Sequence, residues 1–78
     1  MKITEDVLKK ICEGLMRRDP DIIEIVQFGS SVYAPEHARD LDLLVFTKVR
    51  KNYDLYLDAT SNIYDEIGVP FNIDVVPS

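Results

Sequence analysis

In the stretch DLDLLVF, residues 40 to 46, two aspartates alternate with leucines at the head of an apolar run. On a strand, residues two apart project from the same face, about 6.6 Å along the chain. Asp40 and Asp42 can therefore aim both carboxylates at one point beside a sheet, while Leu41 and Leu43 turn the other way into a core. Aspartate is a poor strand former, so two of them here need a reason. Leu44 and Val45 continue a run too apolar for a solvated loop.

Around this strand the other elements fall into order. Residues 4 to 18 place Val7, Leu8, Ile11, Cys12, Leu15 and Met16 three and four apart, which predicts a helix with Thr4 as N-cap, ended by Asp19 and Pro20. IIEIVQF, residues 22 to 28, is β-branched and too short for a typical helix, so it reads as a mostly buried strand stopped by Gly29. Residues 30 to 39 hold at most a helical turn near Ser31 to Tyr33 before Pro35 breaks it. From about Asn52 to Ile67 the apolar residues return at helical spacing, with Gly68 as C-cap. Phe71 to Val76, opened by Pro70, is a third strand. The expected fold is α+β, in the order α-β-β-α-β, with a small sheet and helices packed on one face.

A chain of 78 residues with 46% hydrophobic and 29% charged content falls in the range of one globular domain, residues 1–78. Its core is thin, because folding at this length buries only about 60 to 65% of the surface the unfolded chain exposes. Some apolar surface is left for a partner or for self-association into a homo-oligomer. A lone Cys12 in an apolar helical pattern reads as a buried reduced thiol, which favours a reducing, cytoplasmic setting. No window approaches the roughly 18 apolar residues of a membrane span, and the charged N-terminus does not read as a signal peptide. A net charge of −5 argues against an extended footprint on DNA or RNA, although a cluster of carboxylates would concentrate that charge locally.

Asp74, between Ile73 and Val75 in FNIDVV, repeats the pattern of an isolated acid in an apolar strand. If the second and third strands are neighbours, Asp40, Asp42 and Asp74 converge. Such an oxygen-only set suits Mg²⁺ or Mn²⁺, whereas zinc calls for cysteines and histidines that this chain does not supply. Gly29 and Ser30 close the first strand where free backbone N–H groups and a small hydroxyl can grip phosphate oxygens. The segment Ser31 to Arg39 is long enough to return the chain to an adjacent strand, which sets phosphate grip beside metal ligands. His37 is read as solvated, Lys48, Arg50 and Lys51 as an exposed loop cluster, and Tyr53, Tyr56 and Tyr64 as helix packing.

IVQFGSSVYAPEHARDLDLLVF resembles the signature of the DNA polymerase β superfamily of nucleotidyltransferases: an apolar strand, Gly-Ser, about ten residues, then Asp-x-Asp in another apolar strand. FNIDVV is similar to that family's third motif. The size suggests the minimal nucleotidyltransferases, which often pair with a separate helical HEPN protein. The resemblance implies Asp40, Asp42 and Asp74 as catalytic, metal-binding carboxylates for two Mg²⁺ ions, with Gly29 and Ser30 on the phosphates of ATP or another nucleoside triphosphate. It implies transfer of AMP to an acceptor hydroxyl, with a tyrosine of a HEPN-type partner first and a small molecule second. Family members usually run on beyond the place where this chain stops, so a trimmed domain or structure lent by a partner is expected. An alternative reading of the same residues is a catalytically weak nucleotide-, metal- or partner-binding module.

Overall fold

The computed structural model describes residues 3–78. Helix α1 spans Glu5–Arg18, with the Thr4 hydroxyl accepting from the Val7 N–H at 3.3 Å, as an N-cap should. Acidic Glu5 and Asp6 in its first turn and basic Arg17 and Arg18 in its last complement the helix dipole. Val7, Ile11, Gly14 and Leu15 are buried, whereas Cys12 is only half-buried and Met16 is exposed, so the buried stripe is narrower than the apolar pattern. Cys12 is thus not the fully buried thiol expected from the sequence, although burial still pushes its pKa up.

Strand β1, Ile22–Phe28, leads through the one-turn helix α2, Ser30–Tyr33, to strand β2, Asp40–Thr47. Helix α3, Tyr53–Ile67, then carries the chain back to strand β3, Asn72–Pro77. Gly68 closes α3 in the left-handed region at φ 68°, where its N–H donates to the Tyr64 carbonyl. The sheet order is β1-β2-β3, with β1 antiparallel and β3 parallel to β2. A parallel neighbour requires a crossover, and α3 supplies it. The short helix α2 extends the expected order to α-β-α-β-α-β.

Strand alternation and register together divide the sheet into two faces. Leu41, Leu43, Val45, Ile73 and Val75 form the inner face and join Ile11, Leu15, Tyr56 and Ile63 of the two long helices in one core. Asp40, Asp42 and Asp74 lie on the outer face, and Phe28 and Val26 share it because they pair with Asp42 and Leu44. Among the described residues that face stays open around Val26 and Phe28, and this corrects the reading of β1 as mostly buried. None of its seven residues is buried, and Val26 and Phe28 are exposed. As an edge strand β1 has one covered face and one neighbour. Between Ile22 and Glu24 its register shifts, and Ile23 there is 66% exposed.

A buried acid fixes the far end of the molecule. Asp19, only 3% exposed, accepts from the Tyr56 hydroxyl at 2.8 Å and from the Asp21 N–H at 3.2 Å, with Lys51 Nζ at 3.4 Å. Lys51 also pairs with Asp21 at 2.7 Å, so it is a tether between loops and not the free loop cation that its position suggested. Tyr56 and Tyr64 do pack as expected. The Tyr64 hydroxyl additionally accepts from the Ile73 N–H, tying α3 to the start of β3.

Candidate active site

Asp42 is the centre of the acidic outer face. It pairs in register with Phe28 on one side and with Asp74 on the other, and Asp40 follows two residues earlier, paired with Asn72. Neighbouring strands stand about 4.8 Å apart, so the register sets the Asp42 and Asp74 side chains next to each other on one face. The convergence expected from sequence therefore has its structural condition: β2 and β3 are neighbours, and the two motif acids are direct partners.

The electrostatics reflect that crowding. Burial first, then the negative charges of Asp74 and Asp40, holds the Asp42 carboxyl above its ordinary value of 3.8. Asp40 and Asp74 are both exposed and each has a neutral donor. Asn72 Nδ2 donates to Asp40 Oδ1 at 3.1 Å, and the Tyr53 hydroxyl donates to Asp74 Oδ1 at 2.9 Å. Donation to that carboxylate raises the Tyr53 pKa.

Gly29 abuts Asp42 directly. Its backbone sits at φ 80°, ψ −159°, a region essentially restricted to glycine, and a Cβ there would lie 2.5 Å from Asp42 Oδ2. Ser30 follows, exposed, as the first residue of α2. Ser31 is buried instead and accepts from Gln27 Nε2 at 2.9 Å, which ties α2 to the inner face of β1. Gly29, Ser30, Asp42 and Asp74 are thus gathered at one end of the sheet. His37 is exposed. Lys48, Arg50 and Lys51 lie beyond the C-terminal end of β2, which is five residues from Asp42, or about 17 Å at strand rise.

The oxygen donors on this face suit a hard cation such as Mg²⁺ or Mn²⁺ in type. Among the described residues, however, no three histidine, cysteine, aspartate or glutamate side chains already converge as ligands of one ion. Asp40 and Asp74 instead each accept from a neutral donor, Asn72 and Tyr53. Sequence reasoning missed both donors at the site. Asn72 could have been found, because it stands two residues before Asp74 and so shares its face. Tyr53 could not, because its contact with Asp74 is made across the fold and its local context is that of a packing residue.

No protein-family model matches this chain, and no curated protein does either. Among solved structures, the chain is similar to the crystal structure of a mutant toxin-antitoxin MntA-HpeT, with a TM-score of 0.74 at 20% identity. The likeness covers 97% of this chain, which spans only 57% of that one. At that identity the likeness bears on the fold alone: a small mixed α+β fold with three strands and helices packed against them.

Proposed function

We propose that this chain is a metal-dependent nucleotidyltransferase that moves a nucleoside monophosphate, AMP from ATP, to an acceptor hydroxyl. The observation that carries this reading is the register pairing of Asp42 with Asp74, with Asp40 two residues earlier and Gly29 against Asp42. Three acids on one open face are costly unless a cation is shared, and a triphosphate brings one.

Asp40, Asp42 and Asp74 would hold the metal. Bound there, two Mg²⁺ or Mn²⁺ ions would offset the charge that develops on the phosphates during in-line displacement. Gly29, lacking a side chain, lets the phosphates approach the backbone, and the exposed Ser30 hydroxyl donates to a phosphate oxygen. Asp74, exposed on the edge strand β3, accepts the proton of the attacking hydroxyl. The outer face, with Val26, Phe28 and Phe46 exposed, leaves room for the acceptor.

For the acceptor we favour a tyrosine on a HEPN-type partner protein, supported by the toxin-antitoxin pairing of the structural neighbour. A second reading, a partner-binding module without turnover, draws on the same apolar outer face and on the acids not being drawn together in advance. Calorimetry of ATP binding with and without Mg²⁺ separates the two. The enzyme gives Mg²⁺-dependent heat that the Asp42→Asn variant loses, and a binding module gives none.

A further inference from the structure

One tyrosine hydroxyl among the described residues already touches the acidic face. Among the described residues, the Tyr56 and Tyr64 hydroxyls are engaged in the core, on Asp19 and on the Ile73 N–H, and Tyr33 is 87% exposed. Tyr53 differs. It is the first residue of α3, its side chain is 43% exposed, and its hydroxyl donates to Asp74 Oδ1 at 2.9 Å. A proton acceptor must lie within hydrogen-bond reach of the proton it takes, about 2.6 to 3.2 Å between heavy atoms. Asp74 and Tyr53 meet that condition in the resting molecule.

We propose that Tyr53 is an acceptor in cis, so that the chain nucleotidylates its own phenolic oxygen. This rests on the function proposed above. The Tyr53 oxygen attacks the α-phosphorus of a bound nucleoside triphosphate and forms a phosphodiester bond. The bond from the α-phosphorus to the bridging oxygen breaks, pyrophosphate leaves with the electron pair, and the phenolic proton passes to Asp74. The other tyrosines lack the juxtaposition: no carboxylate of the outer face accepts from them.

The test incubates the full chain with ATP labelled at the α-phosphate and Mg²⁺, without any added partner. Intact mass and peptide mapping then read the product, for the wild type and for Tyr53→Phe, which keeps the ring. One adenylyl group on Tyr53, formed with a rate constant that does not change on dilution and abolished in Tyr53→Phe, is the expected result. A second reading needs no turnover: with Mn²⁺ and α,β-methylene-ATP, which cannot transfer, the ring resonances of Tyr53 broaden before those of Tyr33. Label on Tyr33, a rate that falls with dilution, or broadening at Tyr33 first would overturn the assignment. If the wild type binds ATP in Mg²⁺ and labels an external acceptor while Tyr53 stays unmodified, self-transfer is wrong and the proposed function stands. Absence of any Mg²⁺-dependent ATP binding overturns both.

Discussion

Gly29 and Asp42 stand against each other with no room for a side chain between them: a Cβ on Gly29 would lie 2.5 Å from Asp42 Oδ2. The strand end and the acid are thus fitted as a pair. Gly29→Ala meets two costs, the backbone conformation at φ 80° and the displaced carboxylate. The backbone part alone is about 1 to 3 kcal/mol. In a domain of this size each kcal/mol lowers the melting temperature by about 4 to 8 °C. A double-mutant cycle with Asp42→Ala isolates the steric part. A melting temperature equal to the wild type would show that the loop relaxes freely around an alanine.

The crowding of Asp42 has a pH signature. Its folded-state pKa is raised, by burial and by Asp74 and Asp40, so the folded state binds this proton more tightly than the unfolded chain. Asp42 therefore contributes stability that is fully present below the ordinary value of 3.8 and is lost as pH rises through the raised folded value. In metal-free buffer Asp42→Asn is expected to be more stable than the wild type at neutral pH, with the advantage shrinking toward about pH 4. Denaturant titrations at the two pH values, with chelator present, measure the difference. A variant less stable at neutral pH would make Asp42 a structural residue.

Tyr56→Phe removes the hydroxyl that faces the buried Asp19 at 2.8 Å. Burial, followed by the hydrogen bond to Asp19, drives the Tyr56 pKa well above its ordinary value, as expected for a phenol held neutral beside an anion. Hydrogen bonds to charged groups contribute about 1.5 to 3 kcal/mol. We expect a loss in that range by equilibrium unfolding, with ATP binding unchanged because this contact lies at the opposite end of β2 from Asp42. A matching loss of ATP affinity would link the two ends of the molecule.

Asp74→Ala separates binding from chemistry. Asp40 and Asp42 remain to hold a metal-bound triphosphate, whereas the proton of the attacking hydroxyl loses its acceptor. ATP affinity in Mg²⁺ should stay close to the wild type while adenylyl transfer falls by at least about 100-fold, the lower end of what a positioned base supplies. Transfer at the wild-type rate would remove Asp74 from the mechanism.

How far the sequence reaches is seen best strand by strand. The alternation in Asp40 to Val45 contained both the inner face and the acid pair, because strand geometry leaves a two-residue period only one interpretation. Gly29 was read as a phosphate grip at the end of β1, and its fit against Asp42, on another strand, was not legible in the local pattern. For β1 the composition of IIEIVQF does not say whether a second layer covers its other face, and among the described residues none does. Lys51 and Tyr53 were misread because their partners, Asp21 and Asp74, are 30 and 21 residues away along the chain, and no local pattern signals such contacts.

The core of this sheet and its acidic face are written in a single reading phase. Leu41, Leu43 and Val45 occupy the odd positions of β2, and Asp40 and Asp42 the even ones. A one-residue deletion within the strand would exchange the two sets, sending carboxylates into the core and leucines into solvent. A two-residue deletion would restore the core yet slide Asp42 past Asp74. Indels are therefore barred from β2 by packing in one case and by chemistry in the other, which leaves the exposed Val49 and Arg50, ahead of the Lys51 tether, as a place where the length of this chain can drift.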